Sequence, residues 1–326
     1  MTHYPSWKKH KIRKDGRNIL AVFILIVLVF AITNGIAKSF SLKKYFSQSD
    51  WDSKSPFMSV LTTSPPSVFI FQKDPKRLVL FKLDENAFLA TIGRGTLQKT
   101  SDLFSKEDEE KIAKILSLNL GVDVEKYVRL KEKIPIDTES VRNLFKNFAS
   151  IVAPLKIVAG TYDKQIEKTN ITRTDLLKLW WQLKGISVDK VELVDLAGYE
   201  EEIITDDNTK VLGVEEESIR LKMSQYLENR YLDTQKTNIE IFNESEVADA
   251  SKLAAVFAAS AGFNVTSIEQ SYTISEATRI IAKDKNSYNV SYLASIFNCD
   301  IVSESNGQGA DITVVIGRDF ASNYFE

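Results

Sequence analysis

Hydrophobic positions divide this chain into zones of different character. From 18 to 37 the sequence runs NILAVFILIVLVFAITNGIA, twenty residues without a charge. At a 1.5 Å rise per residue such a helix is about 30 Å long, the thickness of a bilayer's hydrocarbon core. The pattern predicts a transmembrane helix. From 38 to 66 apolar residues thin out among Ser39, Ser41, Ser47, Ser49, Ser53 and Ser55, and Ser64-Pro65-Pro66 closes the stretch. This reads as a juxtamembrane stalk. Beyond it, short apolar runs alternate with amphipathic ones, the pattern of strands and helices in turn.

The runs Ser67–Gln72 (SVFIFQ) and Leu78–Leu83 (LVLFKL) flank Lys73-Asp74-Pro75-Lys76. Apolar runs around an Asp-Pro turn predict a hairpin. Ser105-x-x-Asp108 opens a predicted helix with Ile112, Ile115, Leu116 and Leu120 on one face, stopped by Gly121. Tyr127–Leu130 reads as a strand. Asp137–Val152 carries Val141, Leu144, Phe145, Phe148, Ile151 and Val152 at helical spacing. Thr172-x-x-Asp175 caps a helix running to Leu183, with Gly185 beyond it. Val191–Leu196 is a predicted strand, Thr205-Asp206-Asp207-Asn208 a turn, and Glu215–Leu232 a charged helix with acids at its N-terminus.

A second unit begins near Gln235. Thr237–Phe242 alternates as a strand. Val247–Ala261 is an alanine-rich helix closed by Gly262. Val265–Glu269 and Arg279–Lys283 are strands, Tyr288–Phe297 is a helix, and Asp311–Gly317 (DITVVIG) is a strongly apolar strand. Two successive strand–helix–strand runs imply helices laid on a sheet. The expected fold class is therefore α/β: an N-terminal transmembrane helix followed by two extracytoplasmic α/β sandwich-type domains. The expected boundaries are 1–17 for a cytoplasmic tail, 18–37 for the anchor, 38–66 for the stalk, 67–232 for one domain and 235–326 for the next.

Charge orients this arrangement. The net charge is −2, but residues 1–17 hold six basic residues and one acid, +5, which leaves −7 for the rest. The heavier positive side stays in the cytoplasm, so the C-terminal domains are exported. A cleaved signal peptide is the competing reading; its apolar core would be shorter, and no clean Ala-x-Ala site follows. An acidic exported part has no general attraction for nucleic acid. The basic tail is too short to fold as a regulator of transcription, and topology accounts for its charge.

Two residue types narrow the chemistry further. His3 and His10 both precede the span, so Ser-His-Asp and Cys-His catalysis and histidine-bound zinc are excluded beyond it. Cys299 is the only cysteine, so no intrachain disulfide forms, as suits a bacterial envelope protein. Its apolar neighbours Ile296 and Phe297 make it a small core residue.

Residues 238–320 resemble the LytR C-terminal domain, a small extracytoplasmic α/β module of bacteria. The resemblance is carried by IEIFNES into Asn243, by Leu253-Ala254 and Ala261-Gly262-Phe263-Asn264-Val265, and by the closing string from Gly309 to Phe320. Where that family usually follows the strand-ending asparagine with glycine, Glu244-Ser245-Glu246 stand here. Residues 67–230 resemble the LytR-CpsA-Psr family more faintly, through Asp74-Pro75-Lys76, Leu120-Gly121-Val122-Asp123 with Tyr127-Val128, and Thr169-Asn170-Ile171 with Asp175-Leu176-Leu177. That resemblance implies transfer of polyprenyl-linked glycopolymers to peptidoglycan, with arginines on the pyrophosphate and aspartates on a magnesium ion. The family's Ser-Ile-Pro-Arg-Asp is Phe81-Lys82-Leu83-Asp84-Glu85 here, and its arginine-rich segment is reduced to a short link between Leu130 and Asp137.

The expected function is therefore a membrane-anchored envelope protein without catalysis, binding wall polymer or an envelope partner. No catalytic, cofactor-binding or metal-ligating residue is assigned. The alternative is a divergent phosphotransferase whose relocated cations (Lys82, Arg94, Lys99 or Arg129) converge with Asp84 or Glu85 on one cavity. Asp84 and Glu85 alone are two oxygen ligands, too few for a magnesium or calcium site. Gly93-Arg94-Gly95 lacks the spacing of a nucleotide loop. Trp180 and Trp181 point about 100° apart on one helix, so one anchors the core and the other is free for an interface. Asp311 and Asp319 are expected to cap loops. The Asn-x-Ser/Thr sites at Asn170, Asn243, Asn264 and Asn289 carry no meaning in a bacterial protein.

Overall fold

The structure, a computed structural model, describes residue 49 and residues 51–93, 96–205, 208–227, 229–232, 237–303 and 310–325. The span at 18–37 lies outside them. Among the described residues no helix is long and apolar enough to cross a membrane.

The first domain runs, in chain order, through β1 (Phe57–Leu61), β2 (Ser67–Gln72), β3 (Arg77–Lys82), β4 (Phe88–Ala90), β5 (Leu97–Lys99), α1 (Thr100–Lys106) and α2 (Glu109–Leu120). It continues with β6 (Lys126–Leu130), α3 (Thr138–Phe148), α4 (Ala153–Val158), β7 (Ile166–Thr169), α5 (Arg173–Leu183), β8 (Val191–Asp195), β9 (Glu200–Ile204), β10 (Lys210–Val214) and α6 (Glu216–Ser224). Six strands form the main sheet in the order β7-β6-β1-β2-β3-β8, and four form a smaller one, β5-β4-β10-β9.

The near-continuous apolar runs of β2 and β3 follow from burial on both faces. Successive strand residues point to opposite sides. Val68, Ile70, Val79 and Phe81 therefore meet α2 through Ile112, Ile115, Leu116 and Leu120. Phe71, Leu78 and Leu80 on the other face meet Val141 and Phe145 of α3 and Leu179 and Leu183 of α5. The predicted hairpin closes with Gln72 opposite Arg77. Gly121 ends α2 in the left-handed region at φ 66°, as its glycine permits.

Several expectations are corrected. Ser105 lies inside α1, and α2 is capped by Asp108, whose carboxylate accepts from the Lys111 amide at 3.0 Å. The helix expected over 137–152 stops at Phe148 and resumes as the short α4, leaving Ile151 and Val152 exposed. The helix expected over 215–232 ends at Ser224. Residues 57–61, assigned to the stalk, are a central strand, and Trp51 is buried in the same core. Ser59 hid the alternation, because it faces the interior.

The second domain comprises β11 (Asn238–Asn243), α7 (Ala248–Ser260), β12 (Asn264–Gln270), β13 (Arg279–Ala282), α8 (Tyr288–Phe297), β14 (Asp300–Ser303), β15 (Ile312–Ile316) and α9 (Arg318–Phe325). Its sheet runs β12-β11-β15-β13-β14, with β13 antiparallel to β15 and the other pairs parallel. Ala250, Ala254 and Ala258 are buried one turn apart on α7, which lets its axis lie close to the strands. The overall class is α/β, as expected, and the main and C-terminal sheets are mixed.

The two domains touch. Leu118 of α2 packs against the C-terminal core. Lys114 Nζ donates to Asn323 Oδ1 at 2.8 Å, and Asn229 Nδ2 to the Tyr288 hydroxyl at 2.9 Å.

Candidate functional site

In the main sheet β1 and β2, and β2 and β3, pair antiparallel, while β6 follows β1 and β8 follows β3 in parallel. The carboxyl ends of β1, β3, β6 and β8 therefore share one edge, the usual place for a crevice in such sheets. The register lines up Val128, Leu61, Ser67, Lys82 and Asp195 in one row across that edge. Phe81–Glu85, the segment in which the resemblance would place a phosphate-binding arginine, sits here.

The chemistry of this edge is acidic. Lys82 Nζ makes an ion pair with Asp195 at 2.5 Å. Asp84 accepts from the Asn86 amide at 2.8 Å, and Glu85 accepts from the Ser64 hydroxyl at 3.4 Å. Glu200 stands nearby; burial, then the charges of Asp84 and Asp195, push its carboxyl up to about 7. Burial also raises Asp195, but the Lys82 ammonium and the Ala197 amide outweigh it and hold the carboxyl below its usual range. Lys82 is thus engaged by Asp195 while Asp84, Glu85 and Glu200 stand on the same edge, and acids beside a phosphate repel it. Beneath it the space is filled: Phe81 is 0% exposed and Leu83 3%, and the Phe81 ring meets the Tyr226 ring edge-on at 5.4 Å.

Arg129, another of the expected cations, is engaged elsewhere. Arg129 lies on β6, three strands from Lys82, about 14 Å at 4.7–4.9 Å per strand. Its guanidinium pairs with Glu109 at the start of α2, and Lys168 Nζ closes on the same carboxylate at 2.8 Å. Burial raises the Glu109 carboxyl, but the Lys168 hydrogen bond, the local backbone and both positive charges bring it below its usual value. Lys99 lies on β5 in the smaller sheet, opposite Phe88, and two residues on the Ser101 amide donates to the Glu85 carbonyl at 3.0 Å. Arg94 is outside the described residues. Among the described residues no group of three or more His, Cys, Asp or Glu side chains is placed to hold a metal ion. Asp195, Glu200 and Glu109 were not singled out from the sequence. Only the pairing of β3 with β8, and of β6 with β7 over α2, brings them to these positions.

The C-terminal domain has its own strand-end rim. Glu244 pairs with Arg279 at 3.0 Å and accepts from the Thr273 hydroxyl at 2.7 Å. Glu246 adopts a left-handed φ of 67° and pairs with Arg318, which also reaches Glu276 at 2.7 Å. The loop that replaces the family's glycine turn is thus held by internal ion pairs. Asp319 accepts from the Thr278 amide and hydroxyl at 2.8 and 2.6 Å, and Asp311 from the Asn238 amide at 3.1 Å. Both cap loops, as expected. Cys299 packs against the core, and burial, then Asp319 and Asp300, push its thiol up to about 12. Trp180 donates to the Ser150 carbonyl at 2.9 Å, while Trp181 is 63% exposed.

Residues 236–320 match the family described as "LytR cell envelope-related transcriptional attenuator", LytR_C. No curated protein matches this chain. Among solved structures, a transcriptional regulator from Enterococcus faecalis covers 55% of this chain and 89% of its own at 12% identity and a TM-score of 0.42. TagV of Bacillus subtilis covers 53% and 98% at 14% identity and 0.40. The LytR-CPS2A-psr family protein TagT, with bound octaprenyl pyrophosphate lipid, covers 55% and 94% at 12% identity and 0.37.

Proposed function

We propose that this chain is a membrane-anchored protein of the bacterial cell envelope that binds wall polymer or an envelope partner and performs no group transfer. In this reading residues 18–37 are the anchor, the N-terminus is cytoplasmic, and both domains face outward. The envelope assignment is supported by the LytR_C match at 236–320 and by the charge asymmetry around the span. The observation that carries the non-catalytic part is the state of the cations: Lys82 is engaged by Asp195 and Arg129 by Glu109, on separate parts of the sheet. A phosphoryl-transfer site depends on cations converging where charge develops, and here the converging groups are carboxylates.

The test uses the full-length chain in detergent. Incubated with peptidoglycan sacculi that retain their wall polymer, it should sediment with them and withstand a salt wash. Failure to co-sediment with any envelope fraction would remove the binding role. In a parallel reaction with a polyprenyl-pyrophosphate-linked glycan and peptidoglycan, no glycan should become attached; attachment would overturn the non-catalytic reading.

A further inference from the structure

The helical cap on one face of the main sheet leaves several large apolar side chains exposed. Ile151 is 82% exposed, Leu155 72% and Trp181 63%, with Val152 and Val158 about half exposed. They form one neighbourhood, because α4 packs against α5 and Trp180 Nε1 is bonded to the Ser150 carbonyl at 2.9 Å. Lys184 Nζ lies 5.4 Å from the centre of the Trp181 ring. Scattered apolar residues on a surface are ordinary, but a clustered patch calls for an occupant.

Two observations say what covers it. The chain joins the folded unit at this place: the Trp51 amide donates to Asp175 at 3.3 Å, and Lys178 Nζ donates to the Trp51 carbonyl at 2.7 Å. Asp175 and Lys178 belong to α5, and Trp181 follows Lys178 by one turn, so the two share a helix face. Only residues 38–50 separate Trp51 from the end of the expected span. Thirteen residues can span at most about 45 Å even when fully extended. The second observation is charge. Residues 142–184 carry eight basic side chains against three acidic ones, in an exported part that is otherwise acidic. An apolar patch with an exposed tryptophan, and with Lys184 beside its ring, is a composition that settles into an anionic lipid surface.

We infer that the face formed by Ile151, Val152, Leu155, Val158 and Trp181 docks on the outer surface of the lipid bilayer and fixes the domain's orientation above it. The inference rests on the anchor proposed above. Docking of this face would turn the opposite side of the sheet, with α2, away from the lipid.

The experiment places a photo-crosslinking amino acid singly in place of Leu155, Trp181, Leu221 or Tyr272 in the full-length chain. The chain is reconstituted in nanodiscs of phosphatidylglycerol and phosphatidylethanolamine. Leu221 and Tyr272 are exposed apolar controls elsewhere on the molecule. Lipid adducts should be at least fivefold more abundant at 155 and 181 than at the controls. Equal adducts at all four positions would overturn the inference, as would chain-to-chain adducts dominating at 155, which would assign the face to a second copy. Alkaline carbonate extraction of native membranes tests the anchor separately. If the chain is extracted, the anchor fails, and the adduct ratio on vesicle-bound chain still decides the docking face.

Discussion

Replacing Gly121 with alanine should cost far more than the same change at Gly185, and the difference measures how closely the two domains are packed. Both glycines have left-handed backbones, φ 66° and 88°. A Cβ in that region costs roughly 1–2 kcal/mol, partly offset by the lower entropy of the unfolded alanine chain. At Gly185 nothing lies within 4 Å of the added carbon, so the expected loss is about 1 kcal/mol. At Gly121 the carbon would stand 2.8 Å from Cγ and Nε of Arg220 and 2.8 Å from a methyl of Val256. Arg220 can swing aside at the expense of its ion pair with Glu216. Val256 cannot, because it is fixed to α7 of the C-terminal domain. Overpacking of this kind adds roughly 1–3 kcal/mol, for a total of about 2–4 kcal/mol. Urea unfolding of the full-length chain in detergent gives both values. Limited proteolysis of the connection between the domains should also be faster in Gly121→Ala than in Gly185→Ala. Losses equal within about 0.5 kcal/mol, with unchanged proteolysis, would refute the close approach of α7 to the end of α2.

Three further outcomes follow from the charged and buried groups. The folded Glu200 titrates near 7 against 4.5 when unfolded, so its contribution is complete below 4.5 and is lost as pH rises through 7. Glu200→Gln should therefore gain about 1 kcal/mol at pH 8 after solvent screening and almost nothing at pH 4; equal gains in urea melts at both values would count against the acidic edge. Glu109 is depressed instead, so its stabilisation is present above its unfolded value of 4.5 and disappears as pH falls through the folded one. Glu109→Gln should cost about 2 kcal/mol at pH 7, because Arg129 and Lys168 lose a buried partner but keep some access to water. An unchanged unfolding midpoint would place the carboxylate outside that ion pair. Cys299, with its thiol near 12, should react with a thiol reagent at pH 8 at least 100-fold more slowly than the unfolded chain; comparable rates would mean that it is not enclosed.

What could be read from the sequence was local. The hairpin around Asp74-Pro75 and the cap Thr172 each depend on residues within one or two turns of one another, and the structure has them where the pattern predicts. Most of the C-terminal strand–helix alternation was legible for the same reason, but β14 (Asp300–Ser303) and α9 (Arg318–Phe325) were not. The hairpin of β9 and β10 was not. Glu200–Ile204 reads as an acidic run, and it becomes a strand only by pairing with Lys210–Val214. Residues 57–61 were hidden by Ser59, whose burial depends on two neighbouring strands. In 215–232 the apolar spacing persists through Tyr226 and Leu227, which are buried, but they reach the core from a turn rather than from a continuing helix. Periodicity reports which residues are inside, not which backbone carries them there.

The candidate site was legible in its charges and illegible in its geometry. Asp84 and Glu85 in place of an arginine could be noticed at once. Their effect depends on Asp195 and Glu200, which come from strands more than a hundred residues further along the chain. Two unit charges 4 Å apart at an effective dielectric of 20 interact by about 4 kcal/mol. Exchanging one attractive cation for a repulsive acid beside a phosphate is thus a swing of about 8 kcal/mol. Lys82 cannot restore that balance while it neutralises Asp195. Releasing it by Asp195→Asn removes one repulsive charge and frees one attractive one, yet still leaves Asp84, Glu85 and Glu200 around a single lysine. The single variant should therefore gain no measurable affinity for inorganic pyrophosphate by calorimetry. Only joint removal of the acids should create it, and binding by Asp195→Asn alone would show that the ion pair of Asp195 with Lys82 was the sole obstacle.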